Sequence, residues 1–244
     1  MLSDSQRERY ARQIAMSCLS EAKQAQLLDG TAAIVGLGGL GSAASLYLAA
    51  AGVGHFILVD DDVVELSNLN RQVLYRDADL GHPKVERAAI ALTRLNPNIE
   101  VTCRQNHLQE DNAAELLADA DVLLDCLDSF AARYILNDAA LRLQRPLVHG
   151  AVSELHGQAM TIMPGSSACL RCVFPRSPPE QQTPVLGSVV GTIGTVQATE
   201  AIKYLAGISP LLVGTLFVYD AGCLDADHIT VERKPDCPAC GGPP

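Results

Sequence analysis

Tryptophan is absent and aromatic residues make up only 4% of the chain. Few rings are therefore available to stack exposed bases, which counts against a platform for single-stranded nucleic acid. Positive charge is also short: 18 Lys and Arg face 28 Asp and Glu, for a net charge of −10. A general attraction to a phosphate backbone is disfavoured, although a local basic patch remains compatible with that total. The longest mostly apolar run, residues 40–58, is interrupted by Ser, Tyr, His and Gly, so it reads as a buried helix followed by a strand rather than a membrane span. Residues 1–12 are polar and carry no apolar core of the secretory kind. A cytoplasmic protein with no membrane or nucleic-acid partner is expected. The eight cysteines are not expected to form disulfides in that compartment.

What is present fits one large α/β domain: 244 residues, 25.9 kDa, 48% hydrophobic and 19% charged. Residues 4–28 read as a polar helical arm with Ile14, Leu19, Leu27 and Leu28 as its buried points. Residues 31–35 form a short apolar strand, 41–51 a helix of small residues, and 55–59 a second strand, which makes a βαβ unit. Helices are expected at 83–95, 112–118 and 130–143, with strands at 100–103, 121–126 and 146–149. The alternation predicts a doubly wound, mostly parallel, Rossmann-like sheet over residues 31–150. After Gly150 the texture changes: strands at 158–163, 216–219 and 228–232, a helix at 192–205, and a proline-rich mobile loop at 175–188.

Gly36, Gly38 and Gly41 have the G-x-G-x-x-G spacing between the first strand and its helix. The first glycine permits a tight turn, the second a close approach of backbone to phosphate, and the third close packing of helix on strand. The helix N-terminus adds unpaired N–H groups. Asp60, at the end of the second strand, stands where ribose hydroxyls are bound in such folds, while Asp61 and Asp62 fit a solvated loop equally well. A dehydrogenase needs no cations clustered at the phosphates. Here Ser67, Asn68, Arg71 and Gln72 follow the acidic triplet, and Lys84 opens a helix after Gly81-His82-Pro83. If Arg71 and Lys84 point at the glycine turn, they can neutralise charge as an α-phosphate is attacked; taken singly, each also reads as a surface cation. Asp128, just past a strand, is placed for Mg²⁺ or for capping the helix at Ser129. Cys169 and Cys172, with Cys237 and Cys240, form two C-x-x-C pairs. Two such turns complete a tetrahedral Zn²⁺ site with no open position, so a structural metal is expected. Cys18, Cys103, Cys126 and Cys223 read as core or neutral positions.

These residues together resemble the MoeB/ThiF-type enzymes related to ubiquitin-activating enzymes. The resemblance spans nearly the whole chain: residues 9–13, 36–42, 60–72, 81–84, 96–97, 124–128 and 191–203, and both cysteine pairs. It implies ATP·Mg²⁺-dependent adenylation of the terminal carboxylate of a small ubiquitin-fold sulfur carrier ending in Gly-Gly, for molybdopterin or thiamine thiazole synthesis. By the family pattern Gly39 lies on the phosphates, Asp60 holds ribose, and Asn68 and Arg71 contact the phosphates. Lys84 steadies the α-phosphate, Asp128 positions Mg²⁺, the four cysteines hold zinc, and Arg12 reaches the other subunit's site in a homodimer. Residues 151–244 would then form the carrier- and zinc-binding part.

One departure is visible. The loop before the Gly191 helix, residues 177–185, contains no cysteine, where some family members link covalently to the carrier. Adenylation alone is expected, with sulfur supplied by a separate donor protein. Three other readings compete. A tRNA-modifying dehydratase of the same superfamily is opposed by the cysteine pairs and the lack of a basic segment. A non-catalytic ATP- or carrier-binding module is opposed by the intact set Arg12, Asp60, Arg71, Lys84 and Asp128. A Rossmann dehydrogenase leaves Arg71, Lys84 and the cysteine pairs without a purpose.

Overall fold

The computed structural model describes residues 2–177 and 184–242. One sheet of eight strands, ordered β3-β2-β1-β4-β5-β6-β7-β8, runs through them. The strands are β1 (Thr31–Val35), β2 (His55–Val59), β3 (Glu100–Arg104), β4 (Val122–Asp125), β5 (Leu147–Ser153), β6 (His156–Ile162), β7 (Thr215–Asp220) and β8 (Asp225–Thr230). β1 to β5 pair in parallel, and β5 to β8 pair antiparallel. From β1 the chain winds outward to β2 and β3, then returns to the other side of β1 as β4. The crevice at the C-terminal ends of β1 and β4 is therefore the topological switch point, where α/β sheets place ligands.

The central strands are buried on both faces, which is why they read as unbroken apolar runs. Ala32 and Ile34 join one core cluster and Ala33 and Val35 the other. The first cluster lies under α4 (Gly39–Ala51), α5 (Lys84–Leu95) and α9 (Gly187–Leu205). The second lies under α6 (Ala113–Leu117), α7 (Phe130–Leu143) and α8 (Leu170–Val173). The expected N-terminal arm breaks into α1 (Asp4–Arg9), α2 (Ala11–Ile14) and α3 (Glu21–Asp29). It breaks at Tyr10, whose ring packs on Gly52 and whose hydroxyl accepts a 2.8 Å hydrogen bond from Asn96. Leu19 and Leu27 are buried, whereas Ile14 and Leu28 are only partly covered. No described helix is long and apolar enough to cross a membrane.

The largest departure from the sequence reading is α9, which starts at Gly187 rather than at residue 192. Its glycines look like loop residues, but two of them are contact residues: a Cβ on Gly194 would stand 2.7 Å from the Leu40 carbonyl of α4, and one on Gly187 2.6 Å from the Asn70 carbonyl. Close helix packing overrides low propensity. The expected mobile loop 175–188 thus ends in helix, and its residues 178–183 lie outside the described part. β5 continues to Ser153 because antiparallel pairing with β6 extends it. β8 begins at Asp225, three residues earlier than expected, because a tight hairpin returns it against β7 from Asp220 onward.

Candidate nucleotide site and cysteine cluster

Three segments converge on the switch point. The glycine turn is the first. Gly36 has φ +90°, and a Cβ there would stand 2.6 Å from the Cys126 carbonyl of the loop after β4. Gly41 touches the Gly36 carbonyl, so each can only be glycine. Gly39 lies beneath Val190 of α9, with Arg71 beside it. Gly38 is the open member of the set, with the Gln72 amide as its near neighbour. The turn is held from both sides: the Leu37 N–H donates to Asp60 at 2.6 Å, and the Tyr75 hydroxyl donates to the Leu37 carbonyl at 2.9 Å. Burial raises the Asp60 carboxyl above its ordinary value, and Lys84 and the Leu37 and Asp62 N–H groups oppose the rise. Burial likewise pushes the Tyr75 phenol up, so it stays a neutral donor.

Residues 60–84 form the second segment. Val63 and Pro83 bridge antiparallel, the Val64 N–H donates to the His82 carbonyl, and the Lys84 N–H donates to the Asp62 carbonyl. This pinch sets Lys84, the first residue of α5, beside Asp62, and its Nζ reaches Asp62 Oδ2 at 2.7 Å. Within the excursion Asn68 is buried and shapes the chain: its side chain accepts the Glu65 N–H, and its carbonyl accepts the N–H groups of Arg71 and Gln72. Ser67 presents its carbonyl to the Arg71 guanidinium at 2.9 Å. Gly187 clears the way for Arg71, since a Cβ there would lie 2.6 Å from the Asn70 carbonyl. Gln72 is buried, and its Oε1 has no partner among the described residues.

The third segment follows β4. Ser129, not Asp128, caps α7, accepting the Ala132 N–H at 3.3 Å. Asp128 is exposed and has no hydrogen bond or ion pair among the described residues. A free carboxylate oxygen set of this kind suits a hard cation such as Mg²⁺. Arg12 is not brought to this site. Its neighbour Gln13 donates to the Ala51 carbonyl at the far end of α4, and the 13 residues of that helix span roughly 20 Å.

Beneath the Asp128 turn lies a polar cluster that the sequence reading missed. Asp125 and His149 are fully buried and joined at 2.7 Å, with Arg133, Gln158 and Gln197 around them. Charged residues inside expected strands and helices were the available signal. Burial lowers the His149 pKa; the Asp125 hydrogen bond works against that shift, and Arg133 adds to it.

The cysteine pairs meet on the α7 side of the sheet. Sγ separations are 3.9 Å for Cys169–Cys172, 3.6 Å for Cys169–Cys237 and 3.4 Å for Cys172–Cys240. Tetrahedral thiolates about 2.3 Å from zinc lie roughly 3.8 Å apart, so the donor set and its spacing fit Zn²⁺. Burial raises the Cys169 and Cys172 thiols. At Cys237 burial acts the same way, but the N–H groups of Cys240 and Ala239 and the neighbouring thiols outweigh it, bringing the pKa down to about 7. Of the other cysteines, Cys126 is buried and Cys18, Cys103 and Cys223 are exposed.

The chain is 43% identical to the SAMP-activating enzyme E1 of Haloferax volcanii, covering 98% of this chain and 91% of that protein. It is 41% identical to the adenylyltransferase and sulfurtransferase MOCS3 of Drosophila sechellia, over 97% of this chain and 54% of MOCS3, and so spans about half the length of that relative. Among solved structures, E. coli MccB matches with a TM-score of 0.88 at 21% identity, covering 99% of this chain and 74% of that one, which speaks for the fold alone. E. coli MccB with ATP matches with a TM-score of 0.77 at 25% identity, covering 90% and 69% respectively. The ThiF family profile matches residues 10–239, and the chain belongs to the ThiF family.

Proposed function

We propose that this protein is an adenylyltransferase that activates the C-terminal glycine carboxylate of a small ubiquitin-like sulfur-carrier protein with ATP, releasing pyrophosphate. What supports this reading is the position of Arg71 beside Gly39, of Lys84 paired with Asp62 near the Asp60 that holds Leu37, and of Asp128 two residues past the Cys126 carbonyl that faces Gly36. The identity to relatives named for adenylation and for E1 activity supports it.

The carrier's carboxylate is ionised at neutral pH, so no general base is required. It attacks the α-phosphorus, the bond to the pyrophosphate oxygen breaks, and an acyl adenylate forms. Alignment and charge neutralisation then provide the rate. In this reading Gly36, Gly38, Gly39 and Gly41 cradle the phosphates and Asp60 holds ribose. Ser67, Asn68 and Gln72 line the phosphate path with Arg71, and Lys84 leaves Asp62 to meet the α-phosphate. Asp128 would hold Mg²⁺, which supplies charge neutralisation at the phosphates. Arg12, remote from its own site, would serve the site of a second copy in a homodimer. Cys169, Cys172, Cys237 and Cys240 would hold a structural Zn²⁺, and residues 151–244 would carry the carrier- and metal-binding part of a single adenylation unit. A separate protein would deliver the sulfur, for molybdopterin or thiamine synthesis.

The test is ATP–pyrophosphate exchange with purified carriers of each pathway. Exchange that depends on one carrier and on its intact Gly-Gly end supports the reading. Exchange with none of them, in a protein that binds ATP, overturns it.

A further inference from the structure

We propose that His149 is a positioning residue for this site: held neutral with its proton on Nδ1, it fixes Asp125, and Asp125 with Arg133 fixes the turn that presents Asp128. The role given to Asp128 rests on the adenylation reading; the geometry behind it does not.

Register places the pair. Asp125 ends β4 and stands directly opposite His149 of the parallel neighbour β5. Both side chains therefore leave the sheet on the same face. His149 Nδ1 donates to Asp125 Oδ2 at 2.7 Å, and both residues are 0% exposed. The Gln158 amide N–H donates to His149 Nε2 at 3.2 Å. A nitrogen that accepts there carries no proton, so the ring is anchored at both ends in one tautomer.

The other Asp125 oxygen faces the turn. Oδ1 accepts the Leu127 N–H at 3.2 Å and stands 4.0 Å from Arg133 Nε. Arg133 Nη2 in turn donates to the Leu127 carbonyl at 2.5 Å. Both backbone polar groups of the residue before Asp128 are thus tied to one buried pair. On the opposite side, Gln197 of α9 donates to the Asp125 carbonyl at 2.7 Å. Asp128 projects from the turn, exposed and without a partner among the described residues.

A satisfied core histidine is the plainer reading of His149. Against it stands the cost of the set: burying a carboxylate, a guanidinium and an imidazole together gives less stability than apolar packing of the same volume. What the set supplies is a fixed backbone at Leu127, directly before Asp128, whose carboxylate has no partner among the described residues. Partners of this kind, one step removed from a metal ligand, orient the ligand and tune its affinity.

Two variants separate the readings. His149→Asn keeps a donor near the place of Nδ1, whereas His149→Phe keeps the ring shape without a polar atom. Each is measured for pyrophosphate exchange against Mg²⁺ concentration, and for Mn²⁺ binding by water proton relaxation in the presence of a non-hydrolysable ATP analogue. Thermal melting is recorded alongside. For His149→Phe the half-saturating Mg²⁺ and the Mn²⁺ Kd should rise about tenfold, with kcat at saturating metal within about threefold of wild type. His149→Asn should recover most of the difference. In the wild-type protein, imidazole ¹⁵N spectra should report the neutral Nδ1–H tautomer. Unchanged metal titrations in His149→Phe would overturn the proposal. So would an Nε2–H tautomer, or losses in both variants that follow the melting temperature alone. If His149→Phe does not fold, the Asn variant and the wild-type tautomer decide. A wild-type protein that shows no exchange with any carrier sinks the adenylation reading, while Mn²⁺ binding and the tautomer still decide this one.

Discussion

Lys84 Nζ lies 2.7 Å from Asp62 Oδ2 in an ion pair of unequal partners: the lysine side chain is 6% exposed and the aspartate 68%. The cation is thus held in place by its surroundings, and its anion can swing into water. Bound phosphates would compete for it without any need to rebuild the site. Lys84→Met should therefore lower pyrophosphate exchange by about 10²–10³ and leave the melting temperature nearly unchanged, because an exposed partner contributes only about 1 kcal/mol or less. Exchange near the wild-type rate would remove Lys84 from the phosphate path.

Arg71 and Asp128 offer a cleaner separation of chemistry from folding. Among the described residues Arg71 is partly exposed and bonded only to its own segment, and Asp128 is exposed and unpaired. Arg71→Ala or Asp128→Ala should abolish carrier-dependent exchange while circular dichroism and melting remain those of the parent. A variant that unfolds, or one that exchanges normally, contradicts these assignments.

The cysteine cluster should behave in the opposite way. Replacing one of four thiolates leaves an incomplete metal site whose binding energy is folding energy. Cys237→Ser, or a chelator, should strip about one equivalent of zinc per chain and lower the melting temperature. Each kcal/mol lost corresponds to about 2–4 °C in a protein of this size. Elemental analysis with calorimetry checks both, and a metal-free variant of equal stability would refute a structural staple.

Burial lowers the His149 pKa from its ordinary 6.5. In the folded protein the ring stays neutral as pH falls, whereas in the unfolded chain it protonates below about 6.5. The unfolded state then binds more protons, so stability is full above that value and declines as pH drops through it toward the lower folded pKa. Melting temperature measured from about pH 7 to about pH 5 should fall less steeply in His149→Asn than in wild type. Equal slopes would mean that the imidazole titrates in the fold as it does in the unfolded chain.

The segment 177–185 has no cysteine, and the exposed thiols Cys18, Cys103 and Cys223 are in the N-terminal arm, on β3 and at the β7–β8 turn. Incubation with carrier and ATP should give no conjugate that thiol reductant releases on a denaturing gel. A covalent band mapping to any of these cysteines would restore a second step to the enzyme.

Most of the central sheet was legible because its information is local. The runs at 31–35 and 55–59 are buried on both faces, and such strands look apolar along their whole length. Gly36 and Gly41 were legible because their spacing is dictated by contacts within one turn. Where partners are distant in sequence, the signal faded. Nothing in the sequence ties Tyr75 to Leu37, or His149 to Asp125, because only parallel pairing and the return of the 60–84 excursion bring them together. Gly187 and Gly194 of α9 misled because each answers to a neighbouring backbone rather than to helix propensity.

α9 touches the molecule at fixed intervals. Gly187 and Val190 meet the glycine turn and Arg71, Gln197 reaches Asp125 and Val148, and Glu200 accepts from Thr161 and Leu212. All three stations sit on one rigid rod of 19 residues, so their angular phase is locked. A single residue inserted between Val190 and Gln197 would turn the later stations by about 100° and uncouple them from the first. The rod therefore acts as a camshaft whose timing cannot drift, and changes in chain length can be absorbed only on either side of it.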